Sequence, residues 1–451
     1  MNKSAKPTRV LTQMSPDDVA RVEQRVADAV VLHQAGQVEQ AMQIYQEVLA
    51  EQPTNASALT FLGMGHLQRG AFAEAERLIA TAIAFRPDYV DAFNNLGNVF
   101  LAQGRIAEAG LCYQNALSRN PRFVPAIVNL GVTLRRMGRY GEAESLYQAS
   151  LERCPDSEII HYSRGTLLLM RGKVEEAIAE LEWVHRRAPD DQTRQGLAMA
   201  YYSAGQFAQA RQLLTEWHAA DPNNPIASHM LAAYLGEGEA VPARASDDYV
   251  RSTFDRFAGS FEQVLSGLDY RVPMLIAEKL QQLLGAGQGD LSVLDAGCGT
   301  GLCGTVLRAY ADSLTGVDLS AGMLAKARES GLYDNLIKAE LTEFLSAAGP
   351  QYDLIAAGDT LCYFGDLSDV LSLIAQRLRR GGLLIASFEL CKERGADGFK
   401  LHPHGRYSHL GDYLLNTLKR AGLQAREAED ADLRREIGVP VHGVLVVSKK
   451  P

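Results

Sequence analysis

The sequence predicts two architectures in one chain: an all-α superhelix of short repeats, then an α/β domain built on a mostly parallel seven-stranded sheet. Three observations carry this reading. A residue pattern recurs every 34 positions through the first half, and short apolar runs alternate with helical stretches from Ser292 onward. The first of those runs also leads into a glycine-rich loop, Asp295-Ala296-Gly297-Cys298-Gly299-Thr300-Gly301. With 451 residues, 47% apolar and 22% charged, the chain can bury two or three cores and has the composition of a folded globular protein. Its 45 basic and 54 acidic residues leave a formal charge of -9, which repels a phosphate backbone and argues against nucleic acid as a partner. No apolar run reaches the roughly 18 residues of a membrane-spanning helix, so no membrane association is expected. The polar N-terminus shows no secretory signal, and six scattered cysteines read as reduced thiols of a cytoplasmic protein.

Glycines at 36, 70, 104, 138 and 172 are each 34 residues apart. Alanines follow five residues later, at 41, 75, 109, 143 and 177, and prolines follow 17 residues later, at 53, 87, 121, 155 and 189. A sixth copy, Gly205, Ala210 and Pro222, comes one residue early. Glycine suits a tight turn, alanine lets helices approach closely, and proline ends the second helix of each pair. The pattern, with Ala92 to Phe100 followed by Gly104, Ala109, Tyr113, Ala116 and Pro121, resembles the tetratricopeptide repeat. That resemblance implies a concave groove for a peptide or protein partner. Asn95, Asn98 and Asn129 are the groove candidates. Asn95 and Asn129 stand one period apart in Asn-Leu-Gly triplets and resemble the asparagine ladder of O-GlcNAc transferases, although the ladder is broken by Phe61 and Ser163. Two readings stay open for them, backbone recognition of a peptide and hydrogen bonding between neighbouring helices.

The expected domains are a tail over 1–18, repeats with a capping helix over 19–235, a linker over 236–245, and an α/β domain over 246–451 that opens with lid helices. Strands are predicted at Ser292–Ala296, Leu314–Asp318, Leu336–Glu340, Tyr352–Ala357, Gly382–Phe388, Gln424–Ala428 and His442–Ser448. The clearest helices are Asp366–Arg379 and His409–Ala421. A ligand belongs at the carboxyl ends of such strands. Gly299 to Gly304 also fits the dinucleotide spacing G-x-G-x-x-G, but Asp295 at the strand end would repel a pyrophosphate and can accept a hydrogen bond from an ammonium group.

Asp295, Gly297, Gly299 and Gly301, followed by Gly316-Val317-Asp318-Leu319-Ser320 and Met323, resemble the class I S-adenosylmethionine-dependent methyltransferases, which have a Rossmann-like fold. The resemblance implies that the methionine part of S-adenosylmethionine lies on the glycine loop, that Asp318 binds ribose, and that Leu319 and Met323 flank adenine. Glu340, before Leu341, stands where the family usually has the aspartate that meets the adenine amino group. Asp359 and Thr360 close the fourth motif at the pocket edge, and this motif lacks the Asn/Asp-Pro-Pro-Tyr sequence that positions amide or base-amine acceptors. The segment Phe254-Asp255-Arg256-Phe257-Ala258, with Phe261, resembles bacterial methyltransferases carrying tetratricopeptide repeats, and implies helices that lid the cofactor.

No catalytic residue stands out. The candidates are His404, Tyr407 and His409 in the cluster His402-Pro403-His404-Gly405-Arg406-Tyr407-Ser408-His409, together with Asp359 and Glu389 at strand ends. Arg434-Arg435-Glu436 offers either an arginine for a substrate carboxylate or a surface ion pair, and no metal site is expected. Three functions stay open: a methyltransferase whose repeats dock a peptide, protein or carrier-bound acceptor; a small-molecule O-methyltransferase whose repeats serve assembly; and an interaction scaffold with a non-catalytic cofactor-binding module.

Overall fold

The computed structural model describes residues 15–234, 241–258, 261, 265, 268–391, 398–436 and 439–451. The expected tail up to residue 14, the capping residue Leu235, the first half of the expected linker and the side chain of Phe257 lie outside these. The chain divides into two compact units, Met1–Leu167 and Leu168–Pro451.

The first unit is a run of antiparallel helix pairs, beginning with Pro16–Gln34 and Val38–Glu51. The turn glycines have φ between +72° and +81°, the left-handed region closed to most side chains, so each periodic glycine meets a backbone requirement. The periodic alanines are fully buried between helices. The glycines of the two Asn-Leu-Gly triplets seat large side chains: a Cβ at Gly97 would lie 2.5 Å from the ring of Tyr113, and one at Gly131 would meet Tyr147.

The second unit begins with further repeat helices, Val174–Arg187, Asp191–Ser203 and Phe207–Ala220, and ends them with Pro225–Ala233. Its strands are β1 (Leu291–Ala296), β2 (Ala311–Asp318), β3 (Asn335–Lys338), β4 (Tyr352–Ala357), β5 (Leu378–Glu389), β6 (Phe399–Leu401), β7 (Tyr407–His409), β8 (Gln424–Glu436) and β9 (Val439–Lys449). Seven of them form one sheet in the order β3-β2-β1-β4-β5-β9-β8. The first five run parallel, and β9 pairs antiparallel with both β5 and β8. All seven predicted strands are present in this mostly parallel sheet. The remaining pair, β6 with β7, is a small hairpin that was not anticipated. It takes His409 out of the helix predicted from it, which spans Gly411–Arg420.

Side chains alternate along the strands and fill two cores. Leu294, Ala296, Ile355, Ala357, Leu384 and Ala386 face one layer of helices. Val293, Leu314, Leu354, Ala356 and Ile385 face the other, formed largely by Val272–Leu284. Burying both faces leaves the carboxyl edge of the sheet, where β1, β2 and β4 end, as the place for a ligand.

Candidate active site

A cavity of about 310 Å³ opens at that edge. β1 delivers Gly297, Cys298, Gly299 and Thr300; β2 delivers Asp318, Leu319 and Met323; β4 delivers Asp359 and Thr360. The helix Asp247–Phe257, capped by the Ser246 side chain on the Tyr249 N–H, supplies Val250, Thr253 and Phe254 to the cavity wall. This helix is tied down at the β2 end, because the Asp255 carboxylate accepts from Ser320 Oγ and from the Gly322 N–H. The second half of the expected linker is also pinned, with the Ala243 carbonyl accepting the N–H groups of Gly365 and Asp366 at 2.8 Å.

Asp318 lines the cavity. Its two oxygens accept the N–H groups of Gly299 (2.9 Å) and Ser320 (2.8 Å), and burial raises its pKa despite those bonds. Glu340 does not end the third strand, which stops at Lys338. It caps the helix Leu341–Ser346 by accepting the Glu343 N–H, and also lines the cavity. Of the loop glycines, only Gly299 is open: a Cβ there has one neighbour, the Phe261 ring at 4.0 Å. A Cβ on Gly297 would strike Thr360, and one on Gly301 or Gly304 would strike the Tyr333 ring. Part of the motif therefore serves packing.

Asp295 does not line the cavity. Strand alternation places it with Val293 on the opposite face from Leu294, where it is buried and accepts a 2.7 Å hydrogen bond from the Tyr333 hydroxyl. Burial raises its pKa to about 7 against the lowering effect of Tyr333. The expected contact from Asp295 to a ligand ammonium is thus replaced by a tyrosine.

The far wall holds a buried ion cluster. Arg434, 3% exposed, donates from Nη1 to Asp359 (2.6 Å), from Nε to Glu436 (2.6 Å) and from Nη2 to Glu389. Arg406 donates from Nε to Glu389 (2.9 Å) and from Nη2 to Glu436. Burial alone would raise Glu389, but the two guanidiniums hold it down at about 2. Asp359 sits at φ +52°, in the left-handed region, with its N–H donating to Ser387 Oγ at 2.8 Å. The role of Arg406 was not legible in the sequence, and Arg434 was open to a surface reading.

A family model described as "Methyltransferase domain" matches residues 294–386, and tetratricopeptide-repeat models match 32–99, 95–158, 128–192 and 168–234. A ubiquinone biosynthesis O-methyltransferase of Aromatoleum aromaticum is 31% identical over 158 residues, which cover 32% of this chain and 68% of the relative. The chain belongs to the methyltransferase family, with tetratricopeptide repeats ahead of that domain. A malonyl-[acyl-carrier protein] O-methyltransferase of Salmonella typhimurium is 31% identical over 33% of this chain and 57% of its own length. Human methyltransferase-like protein 27 is 42% identical over 18% of this chain and 34% of its own length. The chain thus spans a third to just over half of these last two curated relatives. A solved thermophilic tetratricopeptide-repeat protein of Thermus thermophilus has 23% identity and a TM-score of 0.35 over 40% of this chain and 99% of that one.

Within the methyltransferase domain, three catalytic candidates fall outside the cavity. Tyr407 is buried and donates to the Pro242 carbonyl (2.8 Å). His409 is buried with Nε2 at 2.9 Å from the Phe364 carbonyl and 3.2 Å from that of Gly365, and burial lowers its pKa to about 4. Pairing of β7 with β6 turns both side chains into the protein. His404 stacks on His402 at 5.0 Å, and burial followed by the Arg406 charge lowers it to about 4. Glu389 stands behind Arg434 and does not line the cavity; Asp359 does. Burial pushes the Cys298 and Cys303 thiols up, which keeps them protonated. In the first unit, Asn129 Nδ2 donates to Asn94 (2.9 Å) and Asn98 (3.2 Å), and Asn98 also accepts from the Tyr113 hydroxyl (2.8 Å). Asn129 and Asn98 are engaged between helices, as in the second of the two readings, whereas Asn95 accepts from Asn98 of its own helix at 3.5 Å. Among the described residues no helix is long and apolar enough to cross a membrane.

The cofactor implied by the family meets a fitting site. Thr300 Oγ1 is buried beside the cavity without a hydrogen-bond partner, the Gly299 backbone is open to it, and a carboxylate stands at the end of β2.

Proposed function

We propose that this domain is an S-adenosylmethionine-dependent methyltransferase whose repeat helices dock an acceptor carried on a peptide, a protein or a carrier. The observation that carries this reading is Asp318, held by Gly299 and Ser320 between an open glycine backbone and the apolar pair Leu319 and Met323. Asp318 would accept from the ribose hydroxyls, Gly299 and Thr300 would meet the methionine part, Leu319, Met323 and Leu341 would flank adenine, and Glu340 would meet its amino group. When bound, the cofactor supplies an electrophilic methyl group on a sulfonium. Transfer of that methyl needs in-line positioning and a dry site. Phe254, Phe261 and Leu265 give the cavity an apolar wall, while the Arg434 cluster keeps Asp359 in place at its far end. The carrier-bound acceptor in the name of the Salmonella relative supports an acceptor held on a carrier.

The test is calorimetric titration with S-adenosylhomocysteine and, separately, with NAD. Binding of S-adenosylhomocysteine alone, weakened at least roughly tenfold by Asp318→Ala, is expected from loss of a charged hydrogen-bond acceptor. Binding of NAD, or of neither compound, would overturn the reading.

A further inference from the structure

The helix Asp247–Phe257 is held on two sides. On one, Tyr249 stacks on His229 of the last repeat helix, Pro225–Ala233, with ring centroids 3.8 Å apart. Arg256 Nη2 donates at 3.3 Å to Asp191, the first residue of the repeat helix Asp191–Ser203. These contacts brace the helix on the repeats. On the other side stands Asp255, next in the chain to Arg256. It does not line the cavity, yet it reaches the segment that follows β2.

The bonds of Asp255 converge on one oxygen. Its Oδ1 accepts both from Ser320 Oγ and from the Gly322 N–H (3.2 Å). Ser320 is fully buried and makes two further bonds: its Oγ accepts the Met323 N–H (3.1 Å), which caps the helix Ala321–Glu329, and its own N–H donates to Asp318 (2.8 Å). With its hydroxyl bonded on both sides Ser320 is fixed, and the N–H that it presents to Asp318 is fixed with it. Gly322 is independent support for a close seat at this point. Glycine is a poor helix residue and no positive φ requires it here; what it provides is room, since a Cβ would lie 2.8 Å from Cβ of Ala258 and 3.4 Å from Asp255 Oδ1.

We propose that Asp255 is a positioning residue for cofactor binding: standing on a helix braced by the repeats, it holds Ser320, and through Ser320 the Asp318 carboxylate assigned above to the ribose. This rests on the methyltransferase reading and adds to it a residue outside the cavity. A carboxylate oriented in advance loses no further freedom when the ligand arrives, which favours binding. Asp255 itself is exposed, so the effect is modest in size.

The test is calorimetric titration of the full chain and its variants with S-adenosylhomocysteine, with thermal melting reporting that each variant is folded. Asp255→Ala is expected to weaken binding about fivefold, the worth of one hydrogen-bonded partner. Asp255→Asn should stay within about twofold of the parent, because an amide oxygen can take the place of Oδ1 in both bonds. Gly322→Ala, which leaves Asp255 intact but pushes its helix away, should also weaken binding about fivefold. In a Ser320→Ala background the cost of Asp255→Ala should shrink to about twofold, since only the Gly322 bond is left to lose. Parent-level binding by Asp255→Ala or Gly322→Ala, an Asn variant no better than the Ala variant, or an Asp255→Ala cost that is the same with and without the Ser320 hydroxyl, would overturn the proposal. Failure of the parent chain itself to bind S-adenosylhomocysteine would instead overturn the methyltransferase reading.

Discussion

Replacing Arg434 by methionine removes the guanidinium that touches all three carboxylates of the far wall. Glu389 and Glu436 would keep Arg406, but Asp359 would be left with Ser387 Oγ at 3.3 Å. Breaking a buried ion pair on one side costs about 3–5 kcal/mol, because the remaining charge stays desolvated. Glu389 supplies a second figure: the difference between its ordinary 4.5 and about 2 corresponds to roughly 3 kcal/mol, shared between both arginines. A loss of about 3 kcal/mol at pH 7 lowers the melting temperature by roughly 6–12 °C in a unit of this size. The pH dependence has a definite sign. A carboxylate depressed in the folded state contributes stability above its unfolded value, near 4.5, and loses it as pH falls toward 2. Thermal melts of Arg434→Met and the parent should therefore differ fully at pH 7 and converge below about pH 4.5. A loss under about 1 kcal/mol at pH 7, the worth of a surface pair, or a gap that does not shrink in acid, would refute the buried-cluster argument.

Three further outcomes are expected. Asp295 is raised from 3.8 to about 7, so its contribution is full below about pH 4 and is lost as pH rises through 7, by roughly 4 kcal/mol in all. Urea unfolding should accordingly find Asp295→Asn more stable than the parent at pH 8, with the advantage gone at pH 4; parallel profiles would contradict this. His229 stacks on Tyr249 at 3.8 Å and its Nε2 lies 2.9 Å from the Gly405 carbonyl, so His229→Ala should destabilise the second unit by about 2 kcal/mol in denaturant titration. No change would mean that this contact is not fixed in solution. Asn95→Ala should leave S-adenosylhomocysteine affinity unchanged while Asp318→Ala weakens it; equal effects would show that cofactor binding and the repeat asparagines are not separate.

Much of the scaffold was legible because its signals are local. The turn glycines carry a φ requirement that recurs every repeat, and the strands announce themselves as apolar runs a few residues long. Asp318 and its neighbours were legible for the same reason, since a strand end, a loop and a helix start are contiguous in the chain. The β6–β7 hairpin was not, because three-residue strands carry too little alternation to read. Its absence from the reading made His409 and Tyr407 look like site residues.

The sequence by itself determined the repeat, the strand set and the glycine loop that faces the cavity, all set by interactions within a few residues or by a strict period. Only the tertiary structure decided which motif residues face the cavity and which serve packing. Asp295 turns to Tyr333, 38 residues away, and Gly301 and Gly304 leave room for that same ring. The ion cluster joins Asp359 to Arg434 across 75 residues and Glu389 to Arg434 across 45. The physical reason is that a charge or a glycine takes its role from what lies across the sheet from it, and the partner is brought there by folding, at a sequence separation that no local pattern records.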